Sequence, residues 1–252
     1  MNLRLASPAV LVDLNRIREL EGVAAREGAL VVGAMTRQRT LERSPEVARA
    51  CPLLAEAVRW VGHVAVRNRG TVGGSLAHAD PAAELPAVAA ALGAEVRVRG
   101  PGGERTLTGS ELFVMPLVTS LAPDELIVSV TFPRKSSRTG QAWVEVARRH
   151  GDFALAGVAA AVSLDEQRAI RDVRLALAGV GPVPVDASSE AAALTGCEPT
   201  AAAIEGVASR AAGACEPPSD VHASSAYRRR LVRVLVRRAL TVAVERAAAD
   251  AG

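Results

Sequence analysis

At 252 residues, 49% apolar and 23% charged, the chain has the composition of a soluble globular protein with one large domain or two modest ones. Its three cysteines, Cys51, Cys197 and Cys215, exclude a disulfide framework, a Cys-x-x-Cys metal site and an iron–sulfur cluster held by this chain alone. The net charge is a mild +3 and aromatic residues are only 2%, so small side chains fill much of the interior.

In chain order, 9–14 reads as a buried strand followed by a turn at Asn15-Arg16, and 29–34 as a second short strand. Ser44-Pro45-Glu46 has the serine cap and first-turn proline of a helix start. Leu53, Leu54, Ala57, Val58 and Val61 at helical spacing predict a helix from Pro52 to about Val64. A loop over 71–80 comes next, and Pro81 opens an alanine-rich helix through Leu92. Strands are expected at 95–99 and 105–107, around the turn Gly100-Pro101-Gly102-Gly103, and at 125–132, ended by Pro133. The polar stretch 134–140 divides the chain into domains 1–137 and 138–252. Beyond it come strands at 142–148, 154–164 and 170–177, then helices at 188–194, 200–212 and 224–249. The fold class is therefore α+β, with a smaller second domain of a three-stranded antiparallel sheet and helices. No signal peptide is visible, and the longest apolar run, 153–162, is too short for a bilayer. A cytoplasmic protein without a transmembrane segment is expected.

The most informative segment is Arg67-Asn68-Arg69-Gly70-Thr71-Val72-Gly73-Gly74-Ser75-Leu76-Ala77-His78-Ala79-Asp80-Pro81. Gly73 and Gly74 have no Cβ, so the backbone is free to turn and present consecutive N–H groups to a phosphate or diphosphate. Thr71 and Ser75 add hydroxyl donors. A tight turn without a ligand explains the glycines equally well.

The whole stretch 66–86 resembles the FAD-binding (medium) subunit of molybdenum hydroxylases, the family of aerobic carbon monoxide dehydrogenase and xanthine dehydrogenase. Leu11-Val12-Asp13-Leu14-Asn15, Val32-Gly33-Ala34-Met35-Thr36 and Cys51-Pro52-Leu53-Leu54-Ala55-Glu56-Ala57 are similar to further family segments, in the same order. So are Ala147-Arg148-Arg149-His150-Gly151-Asp152-Phe153-Ala154 and the terminal Ser225-Ala226-Tyr227-Arg228-Arg229-Arg230-Leu231.

The resemblance implies a PCMH-type FAD-binding domain, vanillyl-alcohol-oxidase-like, followed by the family's small C-terminal domain. It implies FAD held at its diphosphate by Thr71, Val72, Gly73, Gly74 and Ser75, with Asp80, Glu84 and Asp152 also at the cofactor. Glu84 matches the acidic residue that binds a cofactor hydroxyl. For Glu84 and Asp80, helix-start roles remain open, and for Asp152 a surface pair with arginine does. The family's first glycine-rich loop precedes the position at which this sequence starts, and Met1-Asn2-Leu3-Arg4-Leu5 resembles the stretch just after that loop. The domain is thus expected to be incomplete, FAD binding to be conditional on that loop, and a start placed too late is favoured over a truncated relative.

By the same resemblance no residue of this chain is catalytic and none binds a metal. A molybdenum–pterin centre in a large subunit and [2Fe-2S] clusters in a small subunit would complete a dimerised heterotrimer. Electrons would pass from the clusters through FAD to an external acceptor; the alternative is a scaffold that docks those partners without flavin. His63, His78, His150 and His222 show no helical metal spacing; His78 lies closest to the candidate loop, and Trp60 reads as core or as a neighbour of the adenine. Arg228, Arg229, Arg230, Arg233, Arg237 and Arg238 read as a solvated or partner-facing helix face rather than a nucleic-acid surface.

Overall fold

The computed structural model describes residues 8–250. The first domain is built on an antiparallel sheet in the order β1-β2-β7-β3-β4. Its strands are β1 (Val23–Arg26), β2 (Ala29–Gly33), β3 (Glu95–Gly100), β4 (Gly103–Thr108) and β7 (Leu126–Pro133). Period-two alternation sends Leu30, Val32, Val96, Val98, Val130 and Phe132 to one buried face. Covering that face are the short helices α1 (Gln38–Arg43), α2 (Pro45–Ala50), α3 (Pro52–Ala57), α4 (Val64–Arg67), α5 (Val72–His78) and α6 (Glu84–Ala91). After β4, a Thr108–Glu111 capping box starts α7 (Gly109–Leu112), which leads into the small hairpin of β5 (Phe113–Met115) and β6 (Val118–Thr119).

Helix α2 starts where its cap signal lies: the Ser44 hydroxyl accepts from the Val47 N–H at 3.2 Å, and Pro45 occupies the first turn. Three expectations fail. Residues 9–14 form no strand, and Val10, Leu11 and Val12 are exposed. No strand among the described residues lies beside them to take up their backbone groups. Asp13 instead caps a 3-10 turn at Leu14–Arg16. The helix from Pro52 stops at Ala57: the N–H groups of Arg59, Trp60 and Val61 turn to the i−3 carbonyls of Glu56, Ala57 and Val58. Gly62, at φ +49°, then turns the chain away, its carbonyl and that of Val61 held by the Arg67 guanidinium at 2.9 Å. Residues 71–80 are mostly helix α5 rather than loop, and the next helix starts at Glu84, not at Pro81.

In the second domain the three long antiparallel strands are β8 (Thr139–Val146), β9 (Ala156–Leu164) and β10 (Ile170–Ala178). A two-residue strand, β11 (Val185–Asp186), joins the edge of β10. One sheet face carries α8 (Ser188–Ala191), α9 (Ala201–Ala214) and the long α10 (Ser225–Ala249), through buried Val232, Leu235, Val236, Ala239, Leu240 and Ala243. A Cβ on Gly140 would fall on the carbonyl of Ala243, so α10 lies directly on β8. The other face packs on α3 and α6, where Trp143, Ala159, Ala176 and Ala178 join the first domain's core. That seam between the domains positions the candidate site.

Candidate functional site

Helix α5 begins at an N-cap, Thr71, whose hydroxyl accepts from the Gly74 N–H at 3.1 Å. The other N–H groups of its first turn are also engaged. Val72 donates to the Thr36 carbonyl at 3.1 Å, Gly73 to the Ala34 carbonyl at 2.8 Å, and Ser75 to the Thr71 carbonyl at 3.1 Å. The open row of backbone donors expected over 71–75 is therefore absent. The two glycines also differ. Gly73 is buried, and a Cβ there would meet the Ala34 Cβ at 2.6 Å, so it serves close packing of α5 on the chain leaving β2. Gly74 is exposed, and an added Cβ would touch only the Thr71 side chain. Val72 is fully buried.

What the segment offers a ligand is a half-exposed patch of Thr71, Gly74 and Ser75 at the positive end of a seven-residue helix. Arg37 stands beside it, donating to the Arg69 carbonyl and, at 2.6 Å, to the Asn15 side chain, and it pairs with Thr71 in an isolated β-bridge. The sequence gives no sign of Arg37 or Asn15 as neighbours of the glycines. His78 is exposed on the last turn of α5.

Asp80 accepts from the Ala82 N–H at 2.9 Å and so closes the turn through Pro81 that leads into α6. Its helix-start reading thus moves to a turn, since the residue capping α6 is Ala83. Glu84 is only 4% exposed and points into the seam. Burial pushes its carboxyl up to about 7; its own backbone N–H and Arg67 oppose the shift, and Asp80 adds to it. Facing it from the second domain is Glu145, pushed up to about 8 by burial and by the neighbouring Glu84. One Glu145 oxygen accepts from the Trp143 indole at 3.1 Å; the other is buried without a partner. Sequence reasoning missed Glu145, because nothing in a strand pattern pairs it with a helix of the other domain.

Arg67, read only as the start of the motif, is also buried. Besides the carbonyls of Val61 and Gly62 beyond α3, it holds Glu42 at 2.8 Å, and this pairing helps keep the Glu42 carboxyl below its ordinary range against the opposing effect of burial. From the second domain the loop between β8 and β9 reaches over. A Cβ on Gly151 would strike the Gly62 carbonyl, and His150 stacks on Trp60 with centroids 5.1 Å apart. Trp60 is therefore a half-buried seam residue rather than deep core. Asp152 and Phe153 on the same loop are exposed. Arg228 departs from the solvated-face reading: it is 4% exposed, whereas Arg233 and Arg237 pair with Glu205 on the surface. Among the described residues no group of three or more His, Cys, Asp or Glu is arranged to hold a metal ion, and no helix is long and apolar enough to cross a membrane.

Residues 1–135 match the family described as the FAD binding domain in molybdopterin dehydrogenase, and residues 141–243 match the CO dehydrogenase flavoprotein C-terminal domain. The chain is 38% identical to the 6-hydroxypseudooxynicotine dehydrogenase complex subunit alpha of Paenarthrobacter nicotinovorans, over 98% of this chain and 83% of that one. It is 36% identical to the carbon monoxide dehydrogenase medium chain of Hydrogenophaga pseudoflava, over 98% and 86%. The solved carbon monoxide dehydrogenase of Hydrogenophaga pseudoflava that lacks the Mo-pyranopterin moiety superposes with a TM-score of 0.94 at 36% identity, covering 98% of this chain and 85% of that one.

Proposed function

The chain belongs to the family of FAD-binding medium subunits of molybdenum hydroxylases, and we propose that it works as the electron-transferring flavoprotein of a carbon monoxide dehydrogenase-like complex. The observation that carries this is the succession, in one chain, of the two domain types found together in such subunits. The domain boundary falls at 137/138, just ahead of β8. In the complex, an iron–sulfur small subunit delivers electrons and a molybdopterin large subunit oxidises the substrate, in a cytoplasmic, dimerised heterotrimer. FAD supplies the capacity to take up electrons one at a time and release them as a pair.

The residues present fit one side of a diphosphate, though by other means than a cradle of backbone donors. Gly74 leaves room for close approach, Thr71 and Ser75 are half-exposed beside it, and the start of α5 favours negative charge. We assign Thr71, Gly74 and Ser75 to direct contact, and Val72 and Gly73 to holding α5 in place. Asp80 and Glu84 shape the wall behind them. Asp152 approaches from the second domain on the loop that packs on Gly62. Glu84, with its carboxyl pushed up to about 7, is able near neutral pH to accept from a hydroxyl when ionised or to donate to it when protonated.

The test is titration of the purified chain with FAD, followed through the visible flavin bands and through retention of colour on desalting. Bound flavin that is lost on joint substitution of Thr71 and Ser75 by alanine is the expected result. A folded chain that leaves the flavin spectrum unchanged at every concentration sinks the reading and favours a docking scaffold.

A further inference from the structure

The terminal motif Ser225-Ala226-Tyr227-Arg228 takes no part in the contacts assigned to the flavin. Its arginine is nevertheless buried at the domain seam, with both terminal nitrogens engaged and Nε without a partner among the described residues. A guanidinium is costly to bury, and a buried one is expected where its donors meet fixed acceptors. Arg228 donates through Nη1 to the Leu155 carbonyl at 2.7 Å and the Gly179 carbonyl at 3.1 Å, and through Nη2 to Asp220 at 2.7 Å.

Each acceptor leads to the candidate site. Leu155 closes the base of the loop from β8 to β9, its N–H donating to the Val146 carbonyl at 2.9 Å. That loop carries His150 onto Trp60 and Gly151 onto Gly62 of the first domain. Gly179, at φ +75°, donates its N–H to the Pro81 carbonyl at 2.8 Å and so grips the segment between α5 and α6. A Cβ on Gly179 would strike the Ala154 carbonyl, which puts the two turns in direct contact. Asp220 accepts from the backbone of His222 and Ala223, and the His222 ring meets Arg148 at 2.9 Å. Arg228 thus reaches the loop at its base through Leu155 and along its length through Asp220, His222 and Arg148.

We propose that Arg228 is a positioning residue: it fixes the loop 147–154 of the second domain against the segment 79–86 of the first, and so sets the register of the two walls of the candidate site. The flavin part of this rests on the function proposed above; the loop-fixing part stands without it.

The test compares Arg228→Met, Arg228→Lys and, as a control buried on the same helix, Leu240→Ala, all in the full chain. Amide hydrogen exchange is read over 147–155 and 179–182, against the interior of β9 and β10. Loss of a buried charged donor should raise exchange in those two turns by at least about tenfold in Arg228→Met. The lysine variant should recover part of the protection. Leu240→Ala should lower protection in α10 and the sheet without singling out the turns. FAD affinity, measured in parallel, should fall about tenfold in Arg228→Met and recover in part with lysine. Exchange that rises equally everywhere, or that leaves 147–155 unchanged, overturns the proposal. A local rise in a chain that binds no FAD in any form leaves the positioning role standing and defeats the flavin reading instead.

Discussion

Replacing Glu145 by glutamine tests the energetics of the seam. Glu84 and Glu145 come from different domains, are both buried, and have carboxyls pushed up from 4.5 to about 7 and about 8. Burial is the main cause of both shifts, and Glu84 adds to that of Glu145. Holding Glu145 near 8 costs about 4–5 kcal/mol once the group is ionised. The sign comes from proton counts. Below pH 4.5 folded and unfolded chains are both protonated, and the pair has no effect on stability. Between 4.5 and about 8 the folded chain holds protons that the unfolded chain has released, so stability falls as pH rises, and above about 8 the penalty is complete. The strongly lowered acid, Glu125 at about 2, titrates below this window. Glutamine keeps an oxygen for the Trp143 indole and mimics the protonated acid. Urea unfolding at pH 5.0, 6.5 and 8.5 should show E145Q close to the parent at pH 5.0 and about 4–5 kcal/mol more stable at pH 8.5. A difference independent of pH would refute the buried-pair account.

Two further outcomes rest on packing and pairing. Gly73→Ala should cost about 1–3 kcal/mol, because its Cβ meets Ala34, whereas Gly74→Ala disturbs only the Thr71 cap and should cost about 1 kcal/mol; thermal melts of both rank them. Arg67→Met leaves Glu42 with Arg39 alone and strands the carbonyls of Val61 and Gly62, so denaturant melts should show a loss of about 3–5 kcal/mol. A loss under about 1 kcal/mol would show that water replaces the guanidinium there.

The longer strands of both sheets are legible in the sequence because each carries alternation or an apolar run bounded by turn residues, as at Ile170–Ala178. By contrast β1, a largely exposed edge strand, and the two-residue β11 carry no such signal and are not expected from it. The second domain's helices are legible for a related reason, with Thr200 and Ser224 capping α9 and α10. Short helices that depend on tertiary contacts are not. The turn at Val61-Gly62 beyond α3 is held by Arg67, and a guanidinium that will capture two carbonyls has no local signature. The candidate site divides in the same way. Its motif is visible, but the roles within it depend on Ala34, Thr36 and Arg37, which sequence distance hides. That Gly73 packs and Gly74 lies open is a property of what stands opposite each one.

The seam itself shows why such a site needs directional contacts. Domains joined by a modest interface are free to shift unless something sets their register. Here much of the apolar contact is made by small residues, Ala159, Ala176 and Ala178 among them. Side chains that short let α6 approach the sheet closely but present few interlocking shapes, so apolar contact alone specifies the register weakly. Polar contacts specify it more sharply. The Leu53 N–H donates to Gln141 at 3.0 Å, the Trp143 N–H to Glu56 at 3.0 Å, Arg246 to Glu56 at 2.6 Å, and Gly179 to Pro81 at 2.8 Å. Each loses its partner if the domains slide by a residue, and a buried polar group left unpaired costs about 1–3 kcal/mol. A pair of walls that must hold a cofactor between them is therefore set by these bonds, while the alanines allow the walls to come close enough.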